Sequence, residues 1–522
     1  DEHPAANTNR RPELERVRNN SWSADCYALS TSLELIMETT IFVWMVAIPL
    51  LASLVIYMLG RLGVQQDIIP ERSGLVHWSA FIAALITWVP FVLAVRAYFE
   101  HHSGIFHIES IWLAVDGLSL LMTFIVLLLG TLVILFSGQY MAGEIGEEKY
   151  YVMLLVMMGV MIGLSCAQDL FNLWVWFEAM AVSSYLLVAF YRRQPASLEA
   201  GMKYLVQSAV GSVFVLLGIA MVLAETHTLV LNQVRIAAVP SPILLAAGGL
   251  FVIGFGVKIA IVPMHTWLPD AHSQAPSGIS AMLSGIVIEI GLLALLRALS
   301  ALAGVTDSWS YLLMGFGTLN MLYGNLMALR QSQVKRLLAF SSLSHIGYIL
   351  LGLGIAIFSH QNGGAEGAFF HIFNHGMMKG LAFLSAGTLL YALKLSRGSH
   401  DSLMISDLAG AASRYPVPAL ALSIAVLGLG GLPPLAGFMS KWQIFTAGFV
   451  TQNIFVICLV VFAALNSVLS LAYYAPLVNT MYRSQPGKVV ATGSKIPMTM
   501  LIPLGLMATL VIVLGFWPGL MD

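Results

Sequence analysis

The apolar positions of this chain gather into about fourteen runs, each long enough to cross the ~30 Å hydrocarbon core of a bilayer. They lie near 39–60, 75–97, 117–136, 150–166, 168–191, 203–224, 243–263, 275–298, 308–329, 335–358, 365–392, 415–449, 453–480 and 497–517. The fourth and fifth nearly abut at Gln168–Asp169, and the twelfth is too long for one straight span. No soluble domain fits between them. The pattern predicts an all-α polytopic membrane protein of about fourteen transmembrane helices, preceded by a polar tail over 1–38.

Two runs are broken from within. The seventh reads GFGVKIAIVPMHTWLPDAH over 254–272 and places Lys258 just before Pro263. The twelfth contains LGLGGLPPLAGFMSKWQIF, where Gly430, Gly431, Pro433 and Pro434 precede Lys441. Proline removes a backbone donor and ends or kinks a helix, which lipid cannot compensate. The two runs are five apart and so cross the membrane in opposite directions. Paired interrupted segments of opposite orientation point to inverted repeats around a midplane ion path. The predicted segments are helices 1–3 over 39–136, a first five-helix unit (helices 4–8) over 150–298, a second (helices 9–13) over 308–480, and helix 14 over 497–517.

Composition agrees with this picture. The chain has 522 residues, 58% hydrophobic and 10% charged, where soluble domains carry about 25% charged residues. A net charge of −1 gives no reason to expect a nucleic-acid partner. Cys26, Cys166 and Cys458 are far apart, with neither a disulfide framework nor an iron–sulfur spacing. The polar tail has no positive segment leading into an apolar one, so it does not read as a signal peptide.

Lysine and arginine placement gives the orientation. Loops after odd-numbered runs hold fifteen of the 25 basic residues. Loops after even-numbered runs hold three, Arg96, Arg235 and Arg297. The odd loops are expected on the cytoplasmic side and both termini on the other. Arg10, Arg11, Arg16 and Arg18 in the tail oppose this and are outnumbered. The same count leaves three lysines inside apolar runs, Lys258, Lys379 and Lys441, with Glu178 and Glu289 as the acids at depth.

Charges at that depth are costly, about 2.5–3.5 kcal/mol or more each, and usually functional. Desolvation disfavours a charged ammonium, so Lys258 is expected to exchange a proton, or else to snorkel. Glu178, in LWVWFEAMAVSSYLL, is expected to pair with Lys258, either as a switch or as a static packing pair. His371, His375 and Lys379 are spaced i, i+4, i+8 and share one helix face. That stripe suits a proton relay, with a packed core or a metal or haem ligand pair as competing readings.

Glu289 can titrate or fix packing. His345 is a lone histidine on a small-residue helix. His265, Asp270 and His272 form either a proton entry or a loop cap. Lys203 can reach toward Glu178, and Lys335 is expected to snorkel. There is no phosphate-binding or dinucleotide fingerprint, so the drive must come from an ion gradient or a partner.

Several motifs in order then name a family. WVWFEAM, GVKIAIVPMHTWLPDAHSQAPSGISAMLSGIVIEIG, VKRLLAFSSLSHIGYILLG, FHIFNHGMMKGLAFLSAG and LPPLAGFMSKW together resemble the antiporter-like membrane subunits of respiratory complex I. Mrp-type sodium/proton antiporters and energy-converting hydrogenases share that family. The resemblance implies fourteen helices, repeats at helices 4–8 and 9–13, and breaks in helices seven and twelve. It places Glu178 and Lys258 in the first half-channel, His371, His375 and Lys379 in the relay, and Lys441 in the exit half. Many members have lysine or histidine where this chain has Glu289.

The resemblance implies proton (or sodium) translocation in the bacterial inner membrane, beside homologous membrane subunits. It implies no cofactor in this chain. NADH or another donor, flavin, iron–sulfur clusters and quinone are expected only in partner subunits. An Mrp-type antiporter subunit without redox chemistry is the alternative.

Overall fold

The computed structural model describes residues 42–61, 73–101, 104–108, 111–397 and 402–520. The tail over 1–38, with its four arginines and Cys26, lies outside them, as does Arg72. Twelve described helices are long and apolar enough to cross a membrane. The first seven are α1 (Phe42–Arg61), α2 (Ser73–His101), α3 (Gly117–Tyr140), α4 (Glu147–Cys166), α5 (Leu170–Val188), α6 (Pro195–Thr226) and α7 (Pro242–Ile259). After the short α8 (Trp267–Gln274) come α9 (Ser277–Ala301), α10 (Trp309–Ala328), α11 (Val334–Ser359) and α12 (Gly363–Arg397). Then follow α13 (Pro416–Gly430), α14 (Ala436–Val450), α15 (Ile454–Met481) and α16 (Met498–Phe516). The ninth run (α10) and the two halves of the twelfth (α13 and α14) fall outside the twelve.

One element was not expected. An antiparallel hairpin of β1 (Gly104–Ile108) and β2 (Ile111–Val115) joins α2 to α3. Elsewhere the local chemistry of the sequence accounts for the boundaries. Between α4 and α5 the chain turns within Ala167–Asp169, and the Asp169 carboxylate accepts from the backbone N–H of Phe171 and Asn172, at 2.9 and 3.0 Å. Such a cap supplies partners to N–H groups that the helix itself leaves open.

The core is formed by three helices. In the most apolar stretches of α9 and α12, 94% of residues are buried, and in α11 89%, against 33% in α1 and 28% in α15. α10 packs along α11 through small residues. A β-carbon on Gly317 would lie 2.7 Å from the Gly347 carbonyl, so only glycine permits this approach.

Both sequence-marked breaks are present. α7 stops at Ile259, with Ala260 left-handed at φ 60°, and helix resumes only at Trp267. α13 stops at Gly430, with Gly431 left-handed at φ 79°, and α14 begins at Ala436. The left-handed turn favours glycine, so Ala260 carries a strain of about 1–2 kcal/mol that Gly431 avoids. The Val262–Pro263 and Pro433–Pro434 bonds are cis.

Side chains from other helices take up the freed backbone. Asn320 on α10 accepts from the Val262 N–H at 2.8 Å and donates to the Ala260 carbonyl at 3.4 Å. Trp267 donates its indole N–H to the Val257 carbonyl at 2.7 Å. Asn374 on α12 donates to the Ala436 carbonyl at 3.0 Å.

Replacing Asn320 with leucine strands a buried N–H, at a cost of about 1–3 kcal/mol. Thermal unfolding of the detergent-solubilised protein should then show a lower midpoint. An unchanged midpoint would mean that the break does not depend on α10.

Candidate functional site

The broken seventh segment presents Lys258 in the last turn of α7, fully buried. Its ammonium donates to the Tyr204 hydroxyl at 2.5 Å and to the Ser184 hydroxyl at 3.5 Å. It also lies 4.7 Å from the centre of the Tyr204 ring. Tyr204 stacks on Trp267 with ring centres 3.8 Å apart and planes 3° from parallel. The same indole that caps the helix break therefore holds the lysine's partner in place.

Glu178 on α5 is half-buried, and its Oε1 finds no hydrogen-bond partner among the described residues. The expected direct Glu178–Lys258 pair is absent from the described ion pairs, because the ammonium is taken by the two hydroxyls.

A second cluster fills the centre of the molecule. Glu289 sits on α9 just after a π-helical turn over Leu283–Val287, a distortion that often re-aims side chains at functional sites. Its Oε1 lies 2.6 Å from Nδ1 of His375 on α12, and both side chains are fully buried. His345 on α11 stacks against His375 with ring centres 5.1 Å apart and meets His371 through Nδ1···Nε2 at 3.0 Å. His371 in turn contacts the Ser440 hydroxyl on α14 at 2.8 Å.

The helix face of His371 and His375 is thus as expected, but His345 joins its members. Their own ring centres are 6.3 Å apart. In sequence His345 is a lone histidine on a small-residue helix; the structure puts it in the middle. Tyr348, one turn along α11, is a residue that sequence reasoning missed. Its i+3 spacing from His345 was the available signal.

Two lysines flank this cluster. Lys379 donates to the Leu338 carbonyl at 2.8 Å and to the Ser341 hydroxyl, both on α11. Lys441 donates to the Leu429 carbonyl at 2.8 Å and the Ser467 hydroxyl at 2.9 Å, and lies 4.5 Å from the Tyr348 ring centre. Among the described residues, Lys258, Lys379 and Lys441 hydrogen-bond to neutral oxygens and to no carboxylate, which supports a charge without fixing it permanently. The Lys258 and Glu289 clusters are not joined by a described hydrogen bond. They meet across α9, where a β-carbon on Gly291 would lie 3.1 Å from the Lys258 Cγ.

The remaining candidates separate. His265 is packed edge-on against Tyr323, with ring centres 4.6 Å apart. His272 is fully buried, stacks on Phe383, and has neither ring nitrogen hydrogen-bonded among the described residues. Asp270 joins neither. It binds Lys203 at 2.9 Å and Arg336 at 2.8 Å, tying α6 to α11.

Lys203, which also pairs with Glu199 at 2.8 Å, therefore does not reach toward Glu178. Its ammonium is already taken by Glu199 and Asp270. Lys335 does not snorkel either, for it is buried and donates to the Ala275 carbonyl at 2.8 Å. Arg297, counted above as a loop residue, lies inside α9. It is buried there, 3.1 Å from the Asp116 carboxylate and 2.7 Å from the Ser165 carbonyl.

Residues 167–467 match the family described as "NADH:quinone oxidoreductase/Mrp antiporter, TM", and residues 102–151 match "NADH-Ubiquinone oxidoreductase (complex I), chain 5 N-terminus". The chain is 31% identical to F(420)H(2) dehydrogenase subunit N of Methanosarcina mazei, over 84% of this chain and 89% of the relative. It is 31% identical to NADH-quinone oxidoreductase subunit N 2 of Roseiflexus castenholzii, over 86% and 89% of the two chains. Among solved structures, a chain of the membrane-bound sulfane sulfur reductase, an archaeal respiratory membrane complex, superposes with a TM-score of 0.81 at 28% identity. It covers 92% of this chain and 94% of that one.

Among the described residues, the Glu289–His375 contact is the one buried acid–base pair in the central cluster. Changing Glu289 to leucine leaves the His375 Nδ1 without its partner and should lower stability by about 1–3 kcal/mol. Glu289→Gln, which keeps a hydrogen-bonding head, should lose less. Chemical denaturation of the two variants checks this, and equal losses would show that the pair contributes nothing specific.

Proposed function

The chain belongs to the NADH:quinone oxidoreductase/Mrp antiporter membrane family, and on that premise we propose that it carries protons across the bilayer as one antiporter-like subunit of a larger redox-driven complex. The observation that carries this reading is the buried line Glu289–His375, His345–His371–Ser440, with Lys379 and Lys441 beside it and Lys258 across α9. Groups of this kind hold and release protons, and they are too costly at membrane depth to serve as packing alone.

In the proposed path a proton enters near α7 and is held at Lys258. It passes laterally by Glu289 and the three histidines toward the Lys441 half. Tyr204 and Ser184 receive the Lys258 ammonium and let it alternate between charged and neutral forms. Glu178, half-exposed with a free oxygen, responds to a neighbouring subunit and biases Lys258 by its charge.

The two breaks with their lysines support an inverted pair of five-helix units, helices 4–8 and 9–13, within fourteen crossings. Lys258 lies before its break and Lys441 after it, so the two sites are related in kind and differ in register. The excess of basic residues after odd-numbered runs supports an orientation with both termini on the non-cytoplasmic face, and the family likeness supports a place in a bacterial inner membrane.

Moving one charge against 100 mV costs about 2.3 kcal/mol. The drive therefore comes from partner subunits that hold flavin, iron–sulfur clusters and quinone and take electrons from NADH or another reduced donor. The family also includes Mrp antiporters, which makes an ion-exchanging subunit without redox chemistry the second reading. Flavin and iron–sulfur absorbance in the gently solubilised complex distinguishes the two.

Lys258→Ala and Lys441→Ala should each abolish proton translocation by membranes carrying the assembled complex, while the amount of complex stays unchanged. Translocation at the parental rate in both variants would sink the reading.

A further inference from the structure

We infer that protons leave the central cluster along the seam between α12 and α14, through Ser440 and Gln443, into an open cavity whose acid is Glu366. This rests on the proton-carrying reading above and names the mouth of that path. Lys441 faces away from this seam, toward α13 and α15, where it bonds Leu429 and Ser467. The residue before it, Ser440, faces α12 and holds His371.

From that contact outward the two helices meet in three successive rungs. The first is His371–Ser440 at 2.8 Å. One turn out, a β-carbon on Gly367 would lie 2.9 Å from the backbone nitrogen of buried Ile444, 3.0 Å from its side chain and 3.1 Å from the β-carbon of Gln443. One turn further, a β-carbon on Gly363 would lie 3.6 Å from that of Ala447. The spacing is helical on both sides: 363, 367 and 371 on α12, and 440, 443 and 447 on α14.

The second rung carries the independent sign of a route. The Gln443 side-chain oxygen is buried and has no hydrogen-bond partner among the described residues. A buried amide oxygen in this position normally accepts from water. Immediately outside it lies a cavity of about 260 Å³, whose polar lining is Ser359, Gln361, Glu366, Gln443 and Thr446. Glu366 is exposed in the first turn of α12. The cavity opens at the end of the molecule opposite the Lys203–Asp270–Arg336 cluster, since α11 runs from Arg336 at one end to Ser359 at the other. His371 is eight residues from the start of α12, about 12 Å along its axis.

The step conserves protons. A protonated His371 passes its Nδ1 proton to the Ser440 oxygen as the hydroxyl's own proton moves to a water held by Gln443. That water passes a proton to the Glu366 carboxylate, which releases it to bulk water. Only N–H and O–H bonds form and break.

The test uses membrane vesicles carrying the whole complex, energised by its own electron donor (or by a sodium gradient if the complex lacks redox partners), with a pH-sensitive dye as readout. Gln443→Leu and Glu366→Gln should each slow proton translocation about tenfold at unchanged complex content, and Gln443→Glu should restore most of the rate. Asp307→Asn, in a separate cavity on the other side of α12, should leave the rate unchanged. Thr446→Cys should react with a membrane-impermeant maleimide, and labelling should slow translocation. This last arm decides the matter if Gln443→Leu fails to assemble. Full rates in Glu366→Gln and in labelled Thr446→Cys, with Lys441→Ala inactive, would overturn this exit and leave the proposed function standing. Full rates in all three would overturn the function itself.

Discussion

A helix broken inside a bilayer exposes backbone groups that lipid cannot bond, and every functional feature of this chain depends on how the protein bonds them instead. At the first break Asn320 and Trp267 take up Val262, Ala260 and Val257. At the second, Lys441 itself caps the Leu429 carbonyl left by the end of α13. The breaks thus place polar groups at depth, and the groups that satisfy them also build the site. Trp267 caps a carbonyl on one edge and stacks against Tyr204, the partner of Lys258.

The most deeply buried helices also carry the chemistry. α9, α11 and α12 are the interior of the bundle, and they bear Glu289, His345, and His371, His375 and Lys379. Among the described residues, neutral hydroxyls and carbonyls take the hydrogen bonds of Lys258, Lys379 and Lys441, and none of the three bonds a carboxylate. A permanent carboxylate partner would make each ammonium harder to discharge. Arg297 shows the contrast. It is also buried, but it is locked to Asp116, and guanidinium does not give up its proton in proteins. Its arrangement fits a structural tie between α9 and the start of α3.

Much of this was legible in the chain. Pro263 and the Gly-Gly-x-Pro-Pro run marked both breaks, because their effect is local and independent of tertiary context. The depth of Lys258, Lys379 and Lys441 followed from hydropathy alone. What the sequence could not supply was the partner of each charge. Glu178 appeared the natural mate for Lys258 because both are charged at depth, yet Tyr204 and Ser184, ordinary residues in sequence, hold the ammonium. Lys203 meets Asp270, which lies 67 residues away in the chain. His345 reads as a lone histidine until α11 packs on α12. Arg297, at the end of the run over 275–298, was counted with the loop, whereas α9 continues to Ala301. These errors share a cause: side-chain pairing is decided between helices, where periodicity carries no information.

The central claim is that buried groups in this chain change protonation as the complex works. Infrared difference spectroscopy of the assembled complex, resting against energised, tests it most directly through Glu289, the acid at the meeting point of α9 and α12. The account predicts a change in the carboxylic-acid carbonyl band on energisation that disappears in the Glu289→Gln variant. A spectrum in that region identical between Glu289→Gln and the parent, with proton translocation intact in both, would contradict it.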